Sequence, residues 1–170
     1  MSLANAGYNA AINWSNPVVT RLEQQALIPM FGEHPVELGL AGLEDELLAT
    51  LGADTTYRRL FGSSFPDDAA PMSLGNVTKA LATFQRALVS GNSPYDRYRY
   101  GGQAGAISAS ARSGEDLFFS ERLECFHCHS GFNLTAAATY VGKPFTERAF
   151  FNNGLYNIDG AGAYPAPNVG

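Results

Sequence analysis

The chain has 170 residues, of which 45% are hydrophobic and 16% charged, and its formal net charge is −5. This length is enough to bury the core of one compact domain or of two small ones. The acidic balance and the lack of a basic run argue against nucleic acid or an anionic membrane as a partner. No apolar run approaches the roughly 18 residues that a transmembrane helix needs. The first residues lack the charged and apolar regions of a secretory signal.

Apolar spacing in the first third of the chain predicts helices joined by irregular segments. A first helix is predicted over 18–30, capped by Ser15 or Asn16 and ended by Pro29. A second, amphipathic helix is predicted over 42–52, where three acidic residues in the first turn are favoured by the helix dipole. No segment shows sustained alternation of apolar and polar residues, so strands are expected to be few or absent.

The most regular helix is predicted in the middle of the chain. Ser73 is expected to cap it, apolar residues repeat along one of its faces, and Gly91 is expected to end it. An aromatic-rich connector follows. A further short helix is predicted over 108–120, with Leu117 and Phe118 turned inward. The predicted class is therefore mainly α, with long irregular loops.

Both cysteines and two of the three histidines lie in the run ECFHCH, residues 124–129. Cys-x-x-Cys-His is the attachment signature of a c-type haem. Two thiols on one helical turn can each add to a haem vinyl group, and the next histidine can then present its imidazole to the iron. Cys125 and Cys128 are the candidate thioether residues of a covalent haem c, and His129 is the candidate axial ligand of the haem iron. His127 is interpreted as a variable residue inside the motif.

Other interpretations of the motif stay open on the residues alone. A structural zinc site usually needs four ligands and would have to recruit His127 and His34. A thioredoxin-like dithiol would need a βαβ context, and two buried thiols could also be accidental. The haem hypothesis requires export from the cytoplasm and a distal ligand, yet the sequence has no signal and no evident Met or His after His129. A chain cut from a longer precursor would explain both.

Three segments of the sequence now resemble one known family. Their order and spacing are similar to those of the di-haem cytochrome c peroxidase family, which includes the methylamine-dehydrogenase-maturing enzymes. The segments are residues 14–39, 74–101 and 114–134, and the last reads GEDLFFSERLECFHCHSGFNL. The tail at 150–170 resembles the methanobactin-associated branch. The resemblance implies cytochrome c-like helical domains, with a peroxide-reacting first haem and an electron-transferring second haem.

The order of the motifs implies a division of the chain. Residues 1–105 would be the remainder of the first, peroxidatic domain without its own Cys-x-x-Cys-His, and residues 106–170 the start of the second haem domain. The distal ligand of the second haem would lie beyond these residues. The 170 residues alone are accordingly expected to be inactive. In a host without haem-attachment machinery, the two cysteines would carry no haem.

The resemblance also implies a function for the parent protein. It would be a periplasmic oxidoreductase that reduces hydrogen peroxide with electrons passed between two haems, supplied by a small electron-donor protein. The alternatives are oxidation of a side chain of a partner protein and single-haem electron transfer. The family further allows a homodimer and a calcium ion in the parent.

Three positions acquire roles through the resemblance. Trp14 resembles the tryptophan that relays electrons between the haems; Gln25 and Glu37 resemble the pair that lines the peroxide pocket, with Pro29 beside them. A carboxylate there can move a proton between peroxide oxygens, and an amide can hold the bound oxygen. Without the resemblance they would be a core or interface tryptophan, a helix-surface glutamine and a solvated loop acid. The gap between Gln25 and Glu37 is about two residues longer than in the simple peroxidases. Asn5 lies near the family's calcium segment, but no metal ligand is assigned to it.

Overall fold

The computed structural model describes residues 2–13, 16–142 and 150–151. Within these ranges the chain forms six α-helices: α1 Leu22–Phe31, α2 Glu44–Ala53, α3 Thr55–Ser64, α4 Leu74–Ala87, α5 Pro94–Arg99 and α6 Ala109–Phe118. Single 3-10 turns occur at Ala6–Tyr8, Cys125–His127 and Phe132–Leu134. The β structure of the described residues is limited to two isolated bridges, which confirms the mainly α class. No described helix is long and apolar enough to cross a membrane.

The start of α1 differs from the sequence prediction. Val18 is not helical; its N–H donates to Asn16 Oδ1 at 3.0 Å, and its side chain is 71% exposed. Arg21 precedes the helix in an extended conformation and provides no side-chain cap. The predicted start was wrong because Asn16 bonds within a local turn instead of capping the helix. Ser15, the other predicted cap, lies outside the described residues.

The end of α1 also differs, since the helix continues through Pro29 to Phe31. Proline lacks an N–H and so removes one intrahelical bond, which is why it was expected to end the helix. The loop that follows folds back over this end. The N–H of Leu38 donates to the carbonyl of Pro29 at 2.9 Å, and that of Leu40 donates to Met30 at 3.0 Å. These loop amides satisfy carbonyls that a helix end leaves open.

The predicted cap of α4 is confirmed, because Ser73 Oγ accepts the N–H of Asn76 at 3.3 Å. The helix ends at Ala87 rather than at Gly91. At this point the carbonyl of Leu88 accepts the N–H of Asn5 at 2.8 Å. The helix thus ends before Gly91, at a point where the chain contacts the N-terminal segment.

The core lies between α1 and α4 and extends beneath α3. One buried cluster consists of Ala6, Ile12, Leu22 and Ala82. A second consists of Met30, Phe61 and Val77, with half-buried apolar residues of α2 packed against it. The apolar face predicted for α4 is only partly buried, since Leu81 is 41% and Phe84 60% exposed.

The aromatic-rich connector contains the short helix α5, which the sequence analysis did not predict. Ser93 and Asp96 form a reciprocal capping box at its start. Tyr95 on α5 donates its O–H to Glu115 on α6 at 2.9 Å. Helix α6 falls inside its predicted range, but Leu117 is 43% exposed, so its predicted inward orientation was wrong. Tyr95 and Glu115 therefore join the two helices that lead to the cysteine motif.

Candidate haem-binding site

The cysteine motif forms a single turn shortly after α6. The N–H of Cys128 donates to the carbonyl of Cys125 at 3.3 Å, and the N–H of His129 donates to the same carbonyl at 2.9 Å. Both cysteines are free thiols and both are half-buried. The turn therefore presents two unoxidised sulfur atoms and one imidazole from a short stretch of backbone, as thioether attachment and axial ligation require.

The imidazole of His129 has one ring nitrogen engaged. Its Nδ1 lies 3.2 Å from the carbonyl oxygen of Leu134. Because a carbonyl can only accept, this contact requires the proton on Nδ1 and leaves the Nε2 lone pair available. A backbone carbonyl that receives the second ring N–H is the usual support of a metal-binding histidine. His129 is an exposed residue, so a ligand can reach it.

Aromatic side chains line the approach to the motif. The ring of Phe118 lies 6.3 Å from that of His129 and 5.0 Å from that of Phe119, measured between centroids. Phe119 in turn lies 6.4 Å from Phe126. Aromatic surroundings of this kind would suit a large apolar macrocycle, and they would influence the potential of its iron.

His127 has different surroundings from His129. Its ring stacks on Phe126 at 4.3 Å, and its Nε2 lies 3.7 Å from Glu121 Oε2. His127, Glu121 and the exposed Glu124 have possible metal-binding atoms within 4.8 Å of one another. That group contains neither cysteine, and His34 lies exposed in the loop after α1. Across the described part of the chain, no cluster unites the residues that the zinc hypothesis required.

The N-terminal segment packs against the residues that follow the motif. The N–H of Ala10 donates to Ala137 at 2.9 Å, and the N–H of Thr139 donates to Tyr8 at 2.8 Å. The ring of Tyr8 also meets that of Phe132 edge to face at 5.3 Å. Sequence reasoning missed this contact because its partners are some 130 residues apart and carry no shared local pattern.

The two predicted peroxide-pocket residues differ in burial and in what surrounds them. Gln25 is half-buried and lines a cavity of about 200 Å³ that Glu37 does not line. Glu37 is exposed, but its neighbour Leu38 bonds to Pro29, which lies one turn after Gln25, about 6 Å along the axis. No hydrogen bond joins the two side chains among the residues that the structure describes. Trp14, the predicted electron relay, lies outside those residues.

The donor set fits a c-type haem. Two free thiols on one turn would supply the attachment points, and His129 holds its Nδ1 proton against a carbonyl. The model of the family described as di-haem cytochrome c peroxidase matches residues 1–104. The chain belongs to the di-haem cytochrome c peroxidase family. The resemblance to this family is thereby confirmed, and haem c is the cofactor that the family implies.

Two curated relatives are similar to most of this chain. Methylamine utilization protein MauG of Methylophilus methylotrophus is 35% identical over 145 residues, covering 84% of this chain and 41% of the relative. Cytochrome c551 peroxidase of Pseudomonas aeruginosa is 31% identical over 144 residues, covering 82% of this chain and 39% of the relative. The chain thus spans less than half the length of either protein.

A solved structure of the same kind extends the likeness through the cysteine motif. It is described as a MauG-like protein associated with microbial copper homeostasis, and it is 39% identical with a TM-score of 0.82. The match covers 99% of this chain and 48% of the other. Because the coverage is nearly complete, the helical arrangement on both sides of the predicted domain boundary is that of a MauG-like protein.

Proposed function

We propose that Cys125, Cys128 and His129 hold a covalently attached haem c. The observation that carries this proposal is the contact of His129 Nδ1 with Leu134, beside two free thiols on the same turn. When bound, the haem supplies a redox-active iron that no side chain can replace. The protein supplies the attachment, the axial imidazole and the aromatic surroundings.

The whole protein that contains this haem is proposed to be a two-haem oxidoreductase. Its first domain would include residues 1–105, and its second would begin at 106. Support comes from the end of the family match at residue 104 and from relatives more than twice as long as this chain. Because haem attachment takes place outside the bacterial cytoplasm, the periplasm is the proposed location.

Peroxide reduction is the proposed reaction. One hydrogen peroxide takes up two electrons and two protons, the O–O bond breaks, and two water molecules leave. The electrons would come from a small donor protein, and Trp14 would lie on their path between the domains. Glu37 would carry a proton to the departing oxygen, and the amide of Gln25 would donate a hydrogen bond to the other oxygen. Support comes from the loop bonds that bring the Glu37 segment to the end of α1.

A second candidate is oxidation of a side chain on a partner protein. It is favoured by the identities, which are 35% to a MauG protein and 39% to a MauG-like structure, against 31% to a peroxidase. The exposed position of Glu37 is compatible with either reaction. Peroxide consumption with a reduced cytochrome, but not without it, would favour the first candidate.

Haem attachment can be tested on this chain directly. The chain is produced in a host with c-type haem-attachment machinery, and its intact mass is measured under denaturing conditions. We expect the mass of one haem on the unmodified chain and on His127→Ala, and none on the Cys125→Ala/Cys128→Ala double variant. A haem-free chain from a host that loads a control cytochrome would overturn the proposal.

A further inference from the structure

Asn5 is a buried polar residue that connects two distant parts of the chain. It is 5% exposed, and its Nδ2 donates to Ser90 O at 2.8 Å and to Asn133 Oδ1 at 3.0 Å. Its Oδ1 accepts the N–H of Ser90 at 2.8 Å. Both amide hydrogens are therefore used. One reaches the segment after α4, and the other reaches the loop that follows the cysteine motif, 128 residues away.

The loop that Asn5 contacts has an unusual backbone. Asn133 and Leu134 have φ angles of 65° and 50°. Asparagine tolerates this left-handed region, but leucine rarely adopts it. Such a conformation persists only where the surrounding contacts hold it. The bond from Asn5 is one such contact, and it acts on the residue directly before Leu134.

The carbonyl of Leu134 is the acceptor for His129 Nδ1. A continuous path of hydrogen bonds and backbone thus runs from Ser90 through Asn5 and Asn133 to the imidazole. Each link is short: 2.8 Å at Ser90, 3.0 Å at Asn133 and 3.2 Å at His129. Nothing in the Cys-x-x-Cys-His motif itself requires either asparagine.

We propose that Asn5 and Asn133 are positioning residues for His129. Their side-chain bond holds the left-handed turn that places the Leu134 carbonyl against Nδ1, and so fixes the tautomer and the orientation of the imidazole. The consequence for the iron depends on the haem-binding role proposed above, whereas the effect on the tautomer does not. A stronger acceptor at Nδ1 makes the imidazole a better electron donor to a metal.

Glycine substitutions separate the side chain from the backbone at both positions. Asn5 has φ 60° and Asn133 has φ 65°, and glycine adopts such angles freely. Asn133→Gly removes the acceptor of the Asn5 bond without opposing the turn. Asn133→Asp is the matched control, because its carboxylate retains an acceptor for Asn5 Nδ2.

The first measurement uses the haem-free chain at alkaline pH, where imidazole is neutral. Nitrogen-15 chemical shifts of the His129 ring report which nitrogen carries the proton. We expect the Nδ1–H form in the unmodified chain and in Asn133→Asp, and a shift toward the Nε2–H form in Asn133→Gly and Asn5→Gly. His127 serves as the internal reference. An unchanged His129 tautomer in Asn133→Gly would overturn the proposal, even if Asn5→Gly failed to fold.

The second measurement uses the haem-loaded chain. Asn133→Gly is expected to raise the reduction potential relative to the unmodified chain, because a weaker acceptor at Nδ1 stabilises the oxidised iron less. Asn133→Asp is expected not to raise it. A loaded chain whose potential does not rise in Asn133→Gly contradicts the positioning role. A chain that takes up no haem contradicts the proposed function, and the tautomer measurement then still decides the role of the two asparagines.

Discussion

Arg86 on α4 donates two parallel hydrogen bonds to the carboxylate of Glu23 on α1, at 2.7 Å from Nη1 and 3.1 Å from Nη2. This two-point geometry gives a guanidinium–carboxylate pair both strength and direction. The hydrogen bond from Arg86 lowers the pKa of Glu23 below its ordinary value of 4.5. The pair lies at the edge of the core and joins the two helices that enclose it.

Glu23→Gln is expected to lower the free energy of unfolding near pH 7 by about 0.5–1 kcal/mol, the range of a partly exposed pair. Because the pKa of Glu23 is lower in the folded state than in the unfolded state, the ion pair stabilises the fold fully above pH 4.5. This contribution is lost as the pH falls through the folded-state pKa. The difference between variant and unmodified chain should therefore shrink under acid. Urea unfolding at several pH values measures it, with Asp67→Asn as an exposed control. A difference that grows under acid would contradict the assignment.

Asn76 is expected to be the most sensitive polar residue of α4. It is 1% exposed, donates to Asp68 at 2.7 Å and to Pro71 at 2.9 Å, and accepts from Lys79 at 2.9 Å. Asn76→Ala leaves these groups without their partner, which costs about 2 kcal/mol.

The matched control for Asn76 is Thr83→Ala, an exposed position on the same helix. Its hydroxyl donates to the carbonyl of Lys79 in the same helix, so a change below about 0.5 kcal/mol is expected. Urea unfolding of both variants tests the ranking. Equal losses in the two variants would show that the buried network adds nothing.

Tyr95 is expected to resist ionisation. Burial, followed by the hydrogen bond to Glu115, raises its pKa to about 12 from an ordinary 10. Because the folded value is raised, the stabilisation is complete below pH 10 and is lost as the pH rises toward 12. Tyrosinate absorbance of the unmodified chain and of Tyr95→Phe should coincide near pH 10 and separate near pH 12. A separation already complete near pH 10 would contradict the burial of this hydroxyl.

Glu37→Gln tests the proposed peroxide chemistry in the two-haem protein to which we assign this chain. Loss of a positioned proton carrier lowers kcat/KM for peroxide by about 10²–10⁴. Glu33→Gln changes the same charge at an exposed position of the same loop and is expected to leave turnover nearly unchanged. Equal effects of the two substitutions on kcat/KM would contradict the proposed role of Glu37 in the peroxide pocket.

Local signals in the sequence predicted local structure well. Ser73 caps α4 as expected, and α6 falls within its predicted range, because capping and helical periodicity depend on residues three or four apart. Three short segments, one of which contains the cysteine motif, likewise predicted the family, and the family match over residues 1–104 confirms it. These features need no knowledge of the rest of the chain.

Contacts between distant segments account for the features that the sequence did not reveal. The end of α4 coincides with the bond from Asn5 to Leu88, and α1 passes Pro29 where Leu38 bonds to its carbonyl. The sequence of the run Gly131–Leu134 does not indicate that Asn133 is linked to His129, because asparagine is common in any turn. Such partners become visible only when the chain is folded.

We propose that His129, not His127, is the axial ligand of a haem attached at Cys125 and Cys128. The most direct test is the visible absorption spectrum of the reduced, haem-loaded chain, compared with His129→Ala and His127→Ala. We expect a Soret band with narrow α and β bands in the unmodified chain and in His127→Ala. In His129→Ala we expect a displaced Soret band with lost or broadened α and β bands. A spectrum that depends on His127 and not on His129, or the absence of a Soret band from the unmodified chain, would contradict this proposal.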